Sequence, residues 1–344
     1  MSIRLNTPDI PEGLRRVKCV DMHTGGEPLR IPISGIPEIE GKSVLSKRRY
    51  FMEHLDVFRR QLMYEPRGHA DMYGAILTSS DDHEADFDAF FIHNEGYSTM
   101  CGHAIIALVK YAYEAHIVPA KKECTYVINV PAGKVYARGE VQGNKVIRSS
   151  FKNVPSFAYL LGEKVDVEGL GTIHFDIAYG GAFYAIVDAR SCGLNLDPSA
   201  SHLFVSYGRA IKKAIANNFS ITHPEEEDLS FLYGVIFTGP SQDDAHHSRN
   251  VCVFADGEID RSPTGTGVSA RAALAVYKGE LDLGKSLTIE SIVGSTMTVR
   301  AVRRMNYHQY DAIIPEVSGQ AYFSGHSEFY IDPYDPLKDG FLLR

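Results

Sequence analysis

Asp260-Arg261-Ser262-Pro263-Thr264-Gly265-Thr266-Gly267 is the stretch on which the reading of this chain turns, and Ser98-Thr99-Met100-Cys101-Gly102-His103, far upstream, is its echo. Each sets a side chain with a reactive heteroatom, Thr264 or Cys101, immediately before a glycine, and each runs on into a small, mostly apolar segment that reads as a buried helix. A glycine at a helix start lets the backbone pass close to a ligand, and the first free amides, with the helix dipole behind them, favour an anion there. Two such starts facing one cleft would hold a carboxylate between them, with Cys101 on one side and Thr264 on the other. That arrangement points to proton chemistry on a carbon next to a carboxylate.

The helix after Cys101 carries an unbroken apolar run at 104–109, and the one after Thr264 is rich in alanine (Ala270, Ala272, Ala273, Ala275). A helix with no polar face has to be wrapped by protein. The flanking segments supply the wrapping. Strand-like runs lie at 17–22, 29–33, 72–77 and 89–92 before the first helix and at 126–130, 134–138 and 145–151 after it. The second helix has runs at 183–187, 230–238 and 250–255 before it and at 287–289, 296–302 and 311–317 after it. Residues 46–63 and 203–217 read as surface helices, the Arg/Lys content of the first as a solvated face, and residues 1–16 as a loose lead-in.

The plan repeats. Asp176-Ile177-Ala178-Tyr179-Gly180-Gly181-Ala182 matches Asp21-Met22-His23-Thr24-Gly25-Gly26-Glu27 at an offset of 155 residues, and Thr264 follows Cys101 at 163. Two motif pairs in the same order at nearly the same offset predict an internal duplication. The expected fold is α+β: two pseudo-symmetric α/β halves, each a curved mixed or antiparallel sheet around a central buried helix. The first half is placed at 1–160 with Cys101 and the second at 161–319 with Thr264. The boundary falls at about 155–165, and the tail, about 320–344, packs back on the first half.

Composition narrows the function. Of 344 residues, 44% are hydrophobic and 23% charged, with a net charge of -8, so nucleic acid and anionic membrane are poor partners. No apolar run is long enough to span a bilayer and residues 1–16 hold no signal-peptide core, so the expected compartment is the cytoplasm. Five scattered cysteines without a Cys-x-x-Cys pair argue against disulfides and against a thiolate metal site; four read as core residues and Cys101 stands apart. Gly265-x-Gly267 is no nucleotide fingerprint. His23 and His69, each near glycine in a turn, read as loop-fixing residues, and His246-His247 as an exposed loop.

The stretches Asp21 to Pro28, Glu65-Pro66-Arg67-Gly68-His69, Met100-Cys101-Gly102-His103 and Asp260 to Gly267 together resemble the proline racemase family, in the family's order and over nearly the whole chain. The resemblance implies the diaminopimelate epimerase-like fold and racemases or epimerases that use one cysteine per half as acid and base on opposite faces of the α-carbon. Here the first cysteine is present as Cys101 and the second is replaced by Thr264. A thiol at a helix start is expected to ionise near neutral pH, whereas an alkyl hydroxyl is a poor base. Racemisation needs both faces; removing one proton needs only one. The Cys/Thr pairing therefore implies the dehydrating branch: a hydro-lyase taking the α-proton of trans-3-hydroxy-L-proline and shedding its 3-hydroxyl as water.

By the same carry-over Cys101 and Thr264 are catalytic, Thr264 bonding the departing hydroxyl or relaying a proton to it. Gly102, His103, Gly265 and Thr266 bind the carboxylate, and Asp260 the ring ammonium. No cofactor or metal is implied, and a homodimer is. Within the family the alternatives are proline racemase and hydroxyproline 2-epimerase. From the residues alone two further classes stay open: a cysteine hydrolase with Cys101 as nucleophile and His103 or His69 as base, and a non-catalytic binder of proline-like amino acids.

Overall fold

The computed structural model describes residues 12–119, 121 and 123–343. Its first part runs β1 (Arg15–Thr24), β2 (Glu27–Ser34), α1 (Val44–His54), α2 (Asp56–Met63), β3 (Tyr73–Thr78), β4 (Phe87–His93), β5 (Tyr97–Ser98), α3 (Gly102–Glu114), β6 (Thr125–Val130), β7 (Gly133–Gln142) and β8 (Lys145–Lys152). The second runs β9 (Ser156–Val167), β10 (Gly171–Tyr179), β11 (Phe183–Asp188), α4 (Ser201–Asn218), β12 (Leu232–Gly239), β13 (Ser248–Phe254), β14 (Glu258–Asp260), α5 (Gly265–Lys278), β15 (Ser286–Glu290), β16 (Thr296–Tyr307), β17 (Tyr310–Gly319) and β18 (Ala321–Ile331).

The strands form mixed sheet wrapped on two helices. In the second part the pairings close a circuit, β9–β10–β11–β12–β13–β15–β16–β17 and back to β9, with parallel steps at β11–β12 and β13–β15. In the first part the order β18–β1–β2–β3–β4–β6–β7–β8 has its parallel steps at β2–β3 and β4–β6, and β8 passes on to β17. Helix α3 lies inside: Ile105, Ile106, Leu108 and Val109 are fully buried. Ala270 and Ala272 of α5 are equally buried, their small side chains letting the sheet come close. Gly180 marks that approach, since a Cβ there would stand 2.2 Å from the Thr266 carbonyl oxygen. Among the described residues no helix is long and apolar enough to cross a membrane.

Side chains stitch the two parts. Asn153 Nδ2 donates to the Gly180 carbonyl (2.7 Å) and to Ser269 Oγ (2.9 Å), and Thr99 Oγ1 donates to the Gly181 carbonyl at 2.7 Å. The β1–β2 turn, with Gly25 and Gly26 at φ +59° and +91°, receives a hydrogen bond from Ser295 Oγ at the Gly25 carbonyl.

Several expectations need correction. The single helix expected at 46–63 is two helices meeting at Leu55. Three of its five Lys/Arg residues, Lys47, Arg48 and Arg59, are buried and form no solvated face. Lys47 is buried with Asp88 (2.7 Å), and Arg59 is buried against Asp56 and the His93 carbonyl. Burying those charges is tolerable because each is paired and hydrogen-bonded. The loose lead-in expected over 1–16 lies mostly outside the described residues, and Arg15 and Arg16 already belong to β1. A strand not expected there, β9, begins at Ser156, just after β8. The tail after Gly319 begins with a full strand, β18, antiparallel to β1, and Phe341 bridges to Glu65. His246 is no free loop residue, since its Nδ1 meets the buried Glu290 carboxylate at 2.8 Å. Of the four cysteines read as core, Cys192 is only half-buried.

Candidate active site

The N-termini of α3 and α5 meet head to head. A Cβ on Gly102 would lie 2.5 Å from the Gly265 Cα, and one on Gly265 the same distance from the Gly102 Cα. Only two glycines allow backbones that close. The first-turn amides of both helices therefore open on one buried pocket, where intrahelical partners do not reach. It is lined by Cys101, Gly102, His103, Asp260, Thr264, Gly265 and Thr266, with Tyr73, Met100, Tyr184, Tyr233 and Phe254 as walls. All seven residues singled out from the sequence come together here. The space left holds about one water. A five-membered imino acid needs more, so its entry requires the walls to part.

The two helix starts are built differently. Cys101, with extended backbone at φ -143° and ψ 108°, caps α3 through its sulfur, which accepts from the Ala104 amide at 3.4 Å. Thr264 sits at φ +70°, a conformation β-branched residues rarely adopt, and its side chain makes no cap. Its buried Oγ1 has no hydrogen-bond partner of sound geometry among the described residues, though it lies close enough to Asp260 and Cys252 to favour their charged forms. A loose hydroxyl at the wall of a pocket is free to turn toward a ligand.

The electrostatics overturn one expectation. Burial pushes the Cys101 thiol well above its ordinary range, more than the Ala104 amide and the Tyr73 hydroxyl pull it down, and the Asp260 charge pushes it further up. In this closed pocket the helix start does not make a thiolate. Beside the sulfur stands His103, whose Nδ1 is 3.1 Å from Sγ and whose Nε2 is 3.3 Å from the Pro28 carbonyl oxygen. That oxygen only accepts, so the proton is assigned to Nε2 and Nδ1 turns its lone pair to the thiol. Burial holds the His103 pKa down to about 3, against a weaker upward pull from Pro28, so the ring is neutral at physiological pH.

Asp260 is raised to about 6, by burial first, while Ser262 and Thr264 pull it back. Its neighbour Glu27 is wholly buried at the β1–β2 turn and raised well above the carboxylate range by burial and then by Asp260. Glu27 Oε2 accepts from the Arg261 amide at 2.7 Å, and Oε1 has no partner among the described residues. Two carboxyls in one dry site do not share equally: Glu27 stays protonated and Asp260 carries the charge near neutral pH.

Nothing in the sequence assigns a role to Cys252, Tyr73, Tyr184 or Tyr233, and little does to Glu27. A glutamate two residues past Gly25 was the only signal for that last residue, and the walls had none. Among the described residues no group of three or more His, Cys, Asp or Glu side chains is placed to hold a metal ion.

Two sheet-wrapped helices meeting N-terminus to N-terminus over a buried thiol, a hydroxyl and a carboxyl define a class of small-molecule enzyme pocket built where two helix starts meet. The proline racemase family model matches residues 19–342, and the chain belongs to that family. A protein of Colwellia psychrerythraea named trans-3-hydroxy-L-proline dehydratase is 51% identical over 97% of this chain and 94% of its own length. The human protein of the same name is 45% identical over the full length of both. Among solved structures, a hydroxyproline epimerase from Agrobacterium vitis with bound trans-4-hydroxy-L-proline superposes with a TM-score of 0.89 at 29% identity, covering 96% of each chain.

Proposed function

We propose that this chain is a hydro-lyase that dehydrates trans-3-hydroxy-L-proline to 1-pyrroline-2-carboxylate, as its relatives' name describes for them. The observation that carries the reading is a pocket in which one side holds a thiol, Cys101, and the other a hydroxyl, Thr264. In the proposed complex the amides of Gly102, His103, Gly265 and Thr266 hold the carboxylate and stabilise the charge that builds on it as the α-proton leaves. Asp260 faces the ring ammonium. That cation offsets the negative charge of Asp260, which adds to burial in raising Cys101, so substrate binding itself favours the thiolate, the thiol proton leaving to water while the pocket is open.

Stereochemistry then assigns the faces. In a trans-3-hydroxy-L-proline the carboxylate and the 3-hydroxyl lie on opposite faces of the ring, so the α-hydrogen and the hydroxyl share a face. The group that takes the proton therefore stands where the water leaves. Cys101 removes the α-proton, the carbanion's electron pair forms the C2–C3 double bond, and the C3–O bond breaks. The proton now on sulfur goes to the departing oxygen as water. The enamine tautomerises to the cyclic imine. Thr264 holds the far face without a base, which makes it a positioning residue rather than a relay. Incubation with trans-3-hydroxy-L-proline should show loss of one water by mass spectrometry, abolished in Cys101→Ser; unchanged substrate with a folded protein would sink the reading.

We infer further that the two halves descend from a duplication and share the diaminopimelate epimerase-like plan, with the first half carrying Cys101 and the β18 tail, and the second carrying Thr264. The matching placement of one parallel step before each central helix and one across it supports this. The family resemblance supports a cytoplasmic homodimer. Sedimentation at twice 38.1 kDa agrees with it, and at 38.1 kDa opposes it.

A further inference from the structure

A second cleft, of about 430 Å³, opens on the outer side of α5, in the size range of small-ligand sites. Its walls include Asp176, Asp188, Thr238, Arg271, Lys278 and Glu280. Three of these charges are spent locally: Lys278 pairs with Asp176 at 2.6 Å and Asp188 with Arg190 at 2.6 Å. Arg271 is not. Its Nη1 donates to two neutral oxygens, Ser248 Oγ (2.8 Å) and Asn250 Oδ1 (2.7 Å), and among the described residues no carboxylate forms an ion pair with it. Burial lowers its pKa to about 10, with Glu280 pulling weakly the other way, and it remains charged at neutral pH. Arg271 is half-buried, and a partly desolvated guanidinium without a carboxylate is costly. Its remaining edge, Nε and Nη2, has no protein partner among the described residues, and a planar fork of that kind fits a carboxylate or phosphate in bidentate fashion.

The same residue is tied to the reacting pocket. Asn250, which accepts from Arg271, donates through Nδ2 to the Pro263 carbonyl at 3.0 Å, and Pro263 immediately precedes the strained Thr264. Arg271 also lies six residues along α5 from Gly265, about 9 Å of helix.

We propose that this cleft is a second ligand site, taking a small oxyanion-bearing molecule on the free edge of Arg271, and that its occupancy reaches Thr264 through Asn250 and Pro263. The site is separate from the one at the paired helix starts, and only its kinetic consequence rests on the dehydratase reading.

The test is calorimetric titration of the full chain with inorganic phosphate and, separately, acetate at fixed ionic strength. Saturable binding is expected, at least tenfold weaker in Arg271→Gln and in Thr238→Glu. The second variant places a carboxylate in the cleft while leaving the protein contacts of Arg271 intact, so it answers even if Arg271→Gln fails to fold. Tighter phosphate marks a phosphate ester as the ligand class, tighter acetate a carboxylic acid. No saturable binding by folded protein, equal binding in Thr238→Glu, or displacement by trans-3-hydroxy-L-proline would overturn the site. With turnover established, a saturating anion should change kcat at constant KM, and not in Thr238→Glu; an unchanged kcat removes the coupling. A protein that binds the anion at Arg271 but never dehydrates would fault the functional reading and leave the site standing.

Discussion

Gly102 and Gly265, 163 residues apart, touch backbone to backbone: each occupies the volume the other's Cβ would need, with 2.5 Å between that Cβ and the opposing Cα. The pocket exists because of this contact. It brings two sets of helix-start amides to one carboxylate-sized point, and it leaves no slack for a methyl group on either side.

Gly102→Ala and Gly265→Ala should therefore each force the helix ends apart. Overpacking of this kind costs about 1–3 kcal/mol. Both positions have ordinary helical backbone, so the penalty is steric rather than conformational. Urea denaturation should show the loss of stability, and dehydration should fall at least tenfold even where the variant folds. Wild-type turnover in either variant would mean that the two helix starts do not jointly hold the substrate.

Asp260 gives the reaction a pH dependence. Its carboxyl is raised from 3.8 to about 6 by burial. For stability the sign follows from the protonated form being favoured in the fold: the contribution is fully present below 3.8 and is lost as pH rises through about 6. For activity the sign is opposite, because only the ionised carboxylate accepts from the ring ammonium. The expected kcat/KM rises about tenfold per pH unit below that value and levels off above it. Asp260→Asn should remove this acid limb along with most of the substrate affinity. A limb that survives the substitution belongs to another group.

Glu27, being neutral, should tolerate Glu27→Gln. The amide oxygen can still accept from the Arg261 amide, and no charge is lost, so the change in unfolding free energy should stay within about 1 kcal/mol. Glu27→Ala leaves that buried amide unpaired and opens a hole, at about 1–3 kcal/mol for the amide alone. Denaturation curves for the two variants decide it. A Gln variant as damaged as the Ala variant would mean that Glu27 is ionised in the fold.

What could be read in the sequence was local. A heteroatom next to glycine at the head of an apolar run marks a helix start whatever surrounds it, and α3 starts at Gly102, directly after Cys101, and contains the apolar run 104–109. The walls Tyr73, Tyr184, Tyr233 and Phe254 belong to β3, β11, β12 and β13, strands that reach the pocket only through pairing with distant partners. Strand β9 was missed because bulges in its pairing with β10 break the alternation a strand shows in sequence. Strand β18 was missed because most of its side chains face solvent and carry no apolar pattern. The ionisation of Cys101 was misjudged for a related reason. A helix start is visible in sequence, whereas the burial that outweighs it, and the Asp260 carboxylate beside it, depend on the assembled seam.

The asymmetry between the two helix starts yields the most direct test. Thr264 occupies the place from which a second acid or base would act on the far face, and its Oγ1 is already free of protein partners among the described residues. Thr264→Cys puts an ionisable sulfur there. With trans-4-hydroxy-L-proline or L-proline, which have no 3-hydroxyl to lose, the parent in D2O should exchange the α-hydrogen from one face only and keep its configuration. The variant should deliver deuterium from the far side and invert the centre, which polarimetry and proton NMR would both record. Dehydration of trans-3-hydroxy-L-proline should persist in the variant, because the proton and the hydroxyl leave on the Cys101 side. A folded Thr264→Cys protein that binds these imino acids yet inverts neither would mean that residue 264 does not face the α-carbon.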